Sequence, residues 1–164
     1  MFDMIDTPAC RRRLGRNILA NAAASRLSSD DVVRLYIGRI NKYSESHFEV
    51  IGAIYNSAGI TRGAIWAKIG KGAVRENSAD ADLYRLLFRD LSTGGIIRQH
   101  RETDYQGNFI PKTPERRPKG SGPKPMVSAF DDDEGNEPTE LGRQFVHYAM
   151  SDIPPKIEFK YGEE

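Results

Sequence analysis

The run ADADLYRLLFRDLSTGGIIR, residues 79–98, constrains this chain more than any other segment. Tyr84, Leu87, Phe88 and Leu91 recur every three or four residues, the spacing that gathers side chains on one side of a helix. Ser78 precedes the run as a capping residue, and Gly94-Gly95 follows it with the left-handed conformation that ends helices. Ile96 to His100 then alternate weakly and are β-favourable. The segment therefore predicts a helix over 79–92 that turns sharply into a strand. Its outward face carries Asp80, Asp82, Leu83 and Leu86, with Arg85 and Arg89 on the exposed side. Leu83 and Leu86 widen the apolar stripe, and burying them against protein gains roughly 25 cal/mol per Å².

Similar signals divide the rest of the chain. Thr7-Pro8 reads as a cap followed by proline at the first helical position, opening a helix to about residue 24. That helix has a basic end, Arg11, Arg12, Arg13 and Arg16, and an apolar side with Leu14, Ile18 and Leu19. Ser28-Ser29-Asp30-Asp31 places caps and acids at the positive end of a second helix, whose inward stripe is Val32, Val33, Tyr36, Ile37 and Ile40. A third helix spans roughly 45–57, with Phe48, Ile51, Ala53, Ile54 and Tyr55 inward. Thr61 caps a short fourth helix holding Ile65, Trp66 and Ile69, stopped by Gly70 and Gly72. Between 101 and 125 the chain is rich in Pro, Gly and charge, which argues against a packed element. Residues 126–130 are expected to return as a strand, 131–138 to form an acidic turn, and TELGRQFVHYAM from Thr139 to open the last helix. Pro154-Pro155 ends it before a tail, and no internal repeat is present.

From about residue 44 the order is helix, short helix, helix, strand, long loop, strand, helix. With the phrases LYRLLFRDLSTGGIIR and TELGRQFVHYAM, this resembles winged helix-turn-helix proteins such as the MarR-like and PadR-like bacterial regulators. LYRLLFRDLSTGGIIR is similar to a recognition helix with a glycine-marked strand entry. TELGRQFVHYAM is similar to the T-x-x-G segment that begins the helix after the wing. RRRLGRNILANAA, SSDDVVRLYIGRINKYSESHFEVI and DLYRLLFRDLSTGGII also resemble the C-terminal part of a group of uncharacterised bacterial proteins. Set beside that group, whose members carry a longer N-terminal region, the chain is expected to be a short member or a fragment. These resemblances imply a mainly α fold with a small two-stranded β-wing. The expected organisation is an N-terminal helical extension at 1–43, a winged-helix-like domain at 44–150 with a flexible wing loop at 101–125, and a tail at 151–164.

Function is read from the faces this arrangement exposes. A base-reading helix needs Arg, Lys, Asn or Gln in its first turns, and phosphates need cations nearby. The first turn here offers Asp80 and Asp82 instead. The favoured reading is a non-enzymatic recognition module that contacts a protein partner or a second copy, a homodimer, through Asp80, Asp82, Leu83 and Leu86. The alternative is a DNA-binding regulator that holds duplex DNA through a basic wing and loops. Its candidates are Lys68, Lys71, Arg75, Arg85, Arg89, Lys112, Arg116, Arg117, Lys119 and Lys124. The net charge of +1 gives no overall attraction to nucleic acid, so any such binding rests on local patches.

Catalytic signals are weak. His47, His100 and His147 fall in no H-E-x-x-H or related pattern, and Gly70-Lys71-Gly72 lacks the spacing of a phosphate loop. In Asp131-Asp132-Asp133-Glu134-Gly135 the glycine comes one position early for a calcium loop, and position twelve is Gly142 rather than Glu. Cys10 has basic neighbours that favour its thiolate, yet it lacks a nearby histidine and reads as a helix residue. As the single cysteine it excludes an internal disulfide and a Cys-rich zinc site, so no cofactor or metal is expected. A reducing, cytoplasmic setting is expected, with no membrane span. The N-terminus MFDMIDTPACRRR has acids before its basic cluster and no long apolar run after it, unlike a secretory signal.

Overall fold

A computed structural model describes residues 8–25, 29–72, 74–110, 128–130 and 134–150. Among the described residues, six helices and a small antiparallel sheet follow one another as α1 (Pro8–Ser25), α2 (Asp30–Lys42), α3 (Glu45–Tyr55), β1 (Ile60–Thr61), α4 (Arg62–Lys68), α5 (Ala79–Thr93), β2 (Ile97–Gln99), β3 (Gly135–Pro138) and α6 (Glu140–Met150). The protein is thus mainly helical with a three-stranded sheet. No helix among the described residues is long and apolar enough to cross a membrane. The chain forms two compact units, residues 1–45 with 143–164, and residues 46–142.

In the first unit α1 packs along α2. Leu14 and Ile18 of α1, Tyr36 and Ile40 of α2, and Phe145, Tyr148 and Ala149 of α6 are buried. The Tyr36 ring meets Phe145 edge-on at 5.5 Å and Tyr148 at 6.1 Å between centroids, the geometry that ring quadrupoles favour. Two buried asparagines one helical turn apart tie the α6 end to α1. Asn17 Nδ2 donates to the Ala149 carbonyl at 3.2 Å and Asn21 Nδ2 to that of Tyr148 at 3.0 Å. These last-turn carbonyls have no partner within their own helix, so the amides satisfy what the helix end leaves open. Arg11 does the same for α2, its Nη1 donating to the Asn41 carbonyl at 2.9 Å.

The second unit is built on α5. Ser78 accepts a hydrogen bond from the Ala81 amide, and Thr61 accepts one from Ala64 at the start of α4, as their positions predict. Ser29 stands at the α2 N-cap position but makes no side-chain cap bond. Tyr84, Leu87, Phe88 and Leu91 turn inward and are buried, as are Phe48, Ile51 and Ile54 of α3 and Ile65 and Trp66 of α4. The Tyr84 ring lies 4.1 Å from Trp66 and 4.7 Å from Phe88, and its hydroxyl donates to the Arg62 carbonyl at 2.7 Å. At the end of α5 the Ile96 amide reaches the Leu91 carbonyl and the Gly95 amide that of Ser92, both at 2.9 Å. This glycine-terminated stop requires Gly95 at φ +65°, while Gly94 remains helical.

The sheet order is β1-β3-β2, with β3 antiparallel to both neighbours. Asn136 sits between Ile60 and Gln99, while Arg98 faces Glu137 and Ile97 faces Pro138. Two expectations are corrected here. The sheet is not two-stranded, because Ile60 and Thr61 add a third strand. A returning strand stands at Gly135–Pro138, inside the segment read as an acidic turn, while of the strand expected at 126–130 the first two positions lie outside the described residues. Ser128, Ala129 and Phe130 form a turn instead. Their amides are taken by side chains, Ala129 by the Glu76 carboxylate at 3.2 Å and Phe130 by the Ser128 hydroxyl at 3.0 Å, and so are lost to a ladder. GNEP has little intrinsic strand preference, and neighbours fix it from both sides. A side chain at Gly135 would collide with the Gly59 backbone, so only glycine admits the β1 contact.

The T-x-x-G phrase has a mechanical role. The Thr139 hydroxyl donates to the Gly95 carbonyl and accepts from the Gly142 amide at 2.9 Å, while the Thr139 amide donates to Ile96 at 2.9 Å. A Cβ at Gly142 would fall on the Ile96 carbonyl oxygen. The start of α6 is thereby clamped onto the corner between α5 and β2. The Thr7 cap, the 131–133 acidic run and the 151–164 tail lie outside the described residues.

Candidate functional site

The outward face of α5 stands clear of the core that holds its other side. Leu83 is 47% and Leu86 41% exposed, although both belong to the apolar pattern of the helix. They lie one turn apart, with Asp80 and Asp82 exposed beside them. Partial exposure at two consecutive turns leaves a ridge with something to gain from protein contact.

Arg85, on the same helix, is already engaged. Its guanidinium bonds the Asp82 carboxylate at 2.9 Å, the Glu76 carbonyl at 3.1 Å and the Glu76 carboxylate. Glu76 also accepts from the Ser128 hydroxyl and the Ala129 amide. The Ser128 bond is the largest influence on its carboxyl. With the Ala129 amide and Arg85 it outweighs the upward push of burial and holds the pKa below the ordinary value. One carboxylate therefore anchors the 128–130 turn to the start of α5 and neutralises the first cation on its face. Arg89 is exposed.

The remaining cationic candidates are dispersed. Lys68 donates to the Ser57 hydroxyl at 2.8 Å, and Lys71 and Arg75 are exposed in the segment leading to α5. Lys112, Arg116, Arg117, Lys119 and Lys124 lie outside the described residues. The basic residues of α1 belong to the other unit, where Arg12, Arg13 and Arg16 are exposed.

Sequence reasoning missed a second group, on the sheet. Arg62, Arg98 and Arg101 line one cleft of about 400 Å³ with Phe109. The Arg98 and Arg101 guanidinium carbons lie 4.7 Å and 5.8 Å from the centre of the Phe109 ring. Beside the cleft, Glu137 accepts from Arg98 Nε at 2.7 Å and from His100 Nδ1 at 2.8 Å. Burial pushes its carboxyl up, but these two bonds and their charge outweigh burial and leave the pKa below the ordinary value. The phrase IIRQHR carries two of the arginines. Nothing local in it signals that α4 brings Arg62 to the same place.

The histidines occupy separate settings. His47 is buried with its Nε2 3.9 Å from the Asp90 carboxylate, His100 pairs with Glu137, and His147 is exposed on α6. Cys10 is half-buried on α1, with Arg13 Nη2 3.8 Å from its sulfur. Among the described residues no group of three or more His, Cys, Asp or Glu side chains is placed to hold a metal ion.

Comparison with protein-family models, with curated proteins and with solved structures finds no match to this chain.

Proposed function

We propose that the chain is a non-enzymatic recognition module of winged-helix architecture whose α5 ridge docks a protein partner or a second copy of itself. The element order α3-β1-α4-α5-β2-β3 and the sheet order β1-β3-β2 support the architecture. One observation carries the function. Leu83 and Leu86 project together from α5, half-exposed, with carboxylates beside them and the nearest cation tied down by Glu76 and Asp82. Such a surface repels phosphate and gains free energy when covered by apolar or basic protein surface.

The test is light scattering after size exclusion, together with anisotropy of a random duplex at low and moderate salt. The reading expects self-association, or complex formation with a partner, that L83S/L86S abolishes while the fold is retained. A chain that stays monomeric at high concentration and binds duplex at low salt, with L83S/L86S without effect, replaces this reading with DNA binding. That other reading draws support from exposed Lys71, Arg75 and Arg89 near the same helix.

A further inference from the structure

The cleft beside β2 has a charge inventory that neither reading of α5 uses. Arg62 enters from the start of α4, Arg98 from β2 and Arg101 from the chain just beyond it, with Ser92, Gln99 and Asn136 as neutral polar lining. The Arg62 guanidinium lies 5.0 Å above the Phe88 ring and lends one bond, at 3.4 Å, to the Ser128 carbonyl. Arg98 commits Nε to Glu137, and its two terminal nitrogens have no acceptor among the described residues. Arg101 has no hydrogen-bond acceptor there at all. Two of the carboxylates near them are already engaged. Glu137 is shared between Arg98 and His100, and Asp104 accepts from the Gln106 and Asn108 amides and the Asn108 side chain within its own turn.

Three arginines lining one concavity gather positive charge that an anion neutralises. Aromatic contacts with Phe88 and Phe109 hold all three in position, so the forks are largely placed before a ligand arrives. We propose that this cleft is a binding site for the phosphate group of a small phosphorylated molecule. A phosphate monoester brings close to two negative charges and three strong acceptor oxygens at neutral pH, matching three guanidinium forks better than a single carboxylate does. The volume of about 400 Å³ falls in the range of small-ligand pockets. The cations line a hollow rather than a protruding ridge, which suits a compact anion more than the convex backbone of a duplex. The proposal is independent of what α5 docks.

The experiment is isothermal titration of the full chain with glycerol phosphate and with inorganic phosphate, at ionic strength held constant with sodium chloride. Saturable one-to-one binding is expected. R101Q and R62Q should each weaken it about tenfold or more, and R101K should fall between, because it keeps the charge and loses the fork. R34Q, an exposed position on α2, should match the parent chain. Thermal melts of each variant confirm folding. Absence of saturable binding at tens of millimolar overturns the proposal, as does binding indifferent to both R101Q and R62Q. A duplex that binds through the same arginines and is not displaced by glycerol phosphate also overturns it, assigning the cleft to nucleic acid.

Discussion

The outward face of α5 and the cleft beside β2 both contain arginines, but they use them in opposite ways. On α5, Arg85 is consumed by Asp82 and Glu76, so beside Leu83 and Leu86 the carboxylates outnumber the one exposed cation, Arg89. In the cleft, Arg98 gives one nitrogen to Glu137 and keeps two terminal nitrogens without a described acceptor, and Arg101 gives none to any described residue. The lesson is that cation count does not locate an anion site. What matters is how many guanidinium nitrogens remain after internal carboxylates have taken their share.

The most damaging way to break this comparison is to remove the corner that supports both regions. G142A places a methyl group on the Ile96 carbonyl oxygen, where the start of α6 meets the turn from α5 into β2. Backbone cannot move aside as a flexible side chain can, so a loss of about 3 kcal/mol is expected. That corresponds to a fall of roughly 6–12 °C in Tm, read by calorimetry. Both phosphate binding and L83/L86-dependent association should weaken together. If either survives intact, the two surfaces do not share that support.

Acid should act next. The folded Glu137 carboxyl has a pKa below the ordinary glutamate value. Its contribution is therefore complete above the ordinary range, near pH ~4.3, and is lost as pH falls through the lower folded value. Chemical denaturation from about pH 6 to about pH 3 should show an added loss of stability in the acid limb, absent from E137Q. An identical acid limb in E137Q removes the pair with Arg98 and His100 from the account.

E76A sharpens the contrast directly. It strips Arg85 of its carboxylate and frees the 128–130 turn, at a stability loss smaller than that of G142A because Glu76 is half-exposed. The freed guanidinium should raise the affinity of the chain for random duplex at low salt. Unchanged affinity would mean that Glu76 is not what keeps the α5 face from phosphate.

The smallest stability effect belongs to L83S/L86S. Both side chains are partly solvated, so the fold should change by no more than about 0.5 kcal/mol per position. Association should disappear all the same. A large drop in Tm would place these leucines in the core rather than on an interface.

Much of the helical framework is legible from local signals. Ser78 and Thr61 cap the helices their positions predict, and Gly95 adopts the left-handed turn expected after α5. The buried stripe of Tyr84, Leu87, Phe88 and Leu91 follows from spacing alone. The strands are less legible. Ile60 and Thr61 form a strand too short for alternation to register, and GNEP carries no strand signal of its own. At 128–130 the strand expectation fails because a carboxylate some fifty residues away claims the Ala129 amide. The α5 candidates are visible in sequence because they share one helix, whereas the cleft is not, because its arginines come from separate elements.

By itself, then, the order of residues determined where helices begin and stop, since caps, glycines and apolar spacing act within a few positions of the chain. Folding in three dimensions decided which strand pairs with which, which leucines stay half in water, and which arginines keep nitrogens to spare. Those outcomes depend on groups far apart in sequence, and only packing brings Glu76 to Ser128, Gly135 to Gly59 and Arg62 to Arg98.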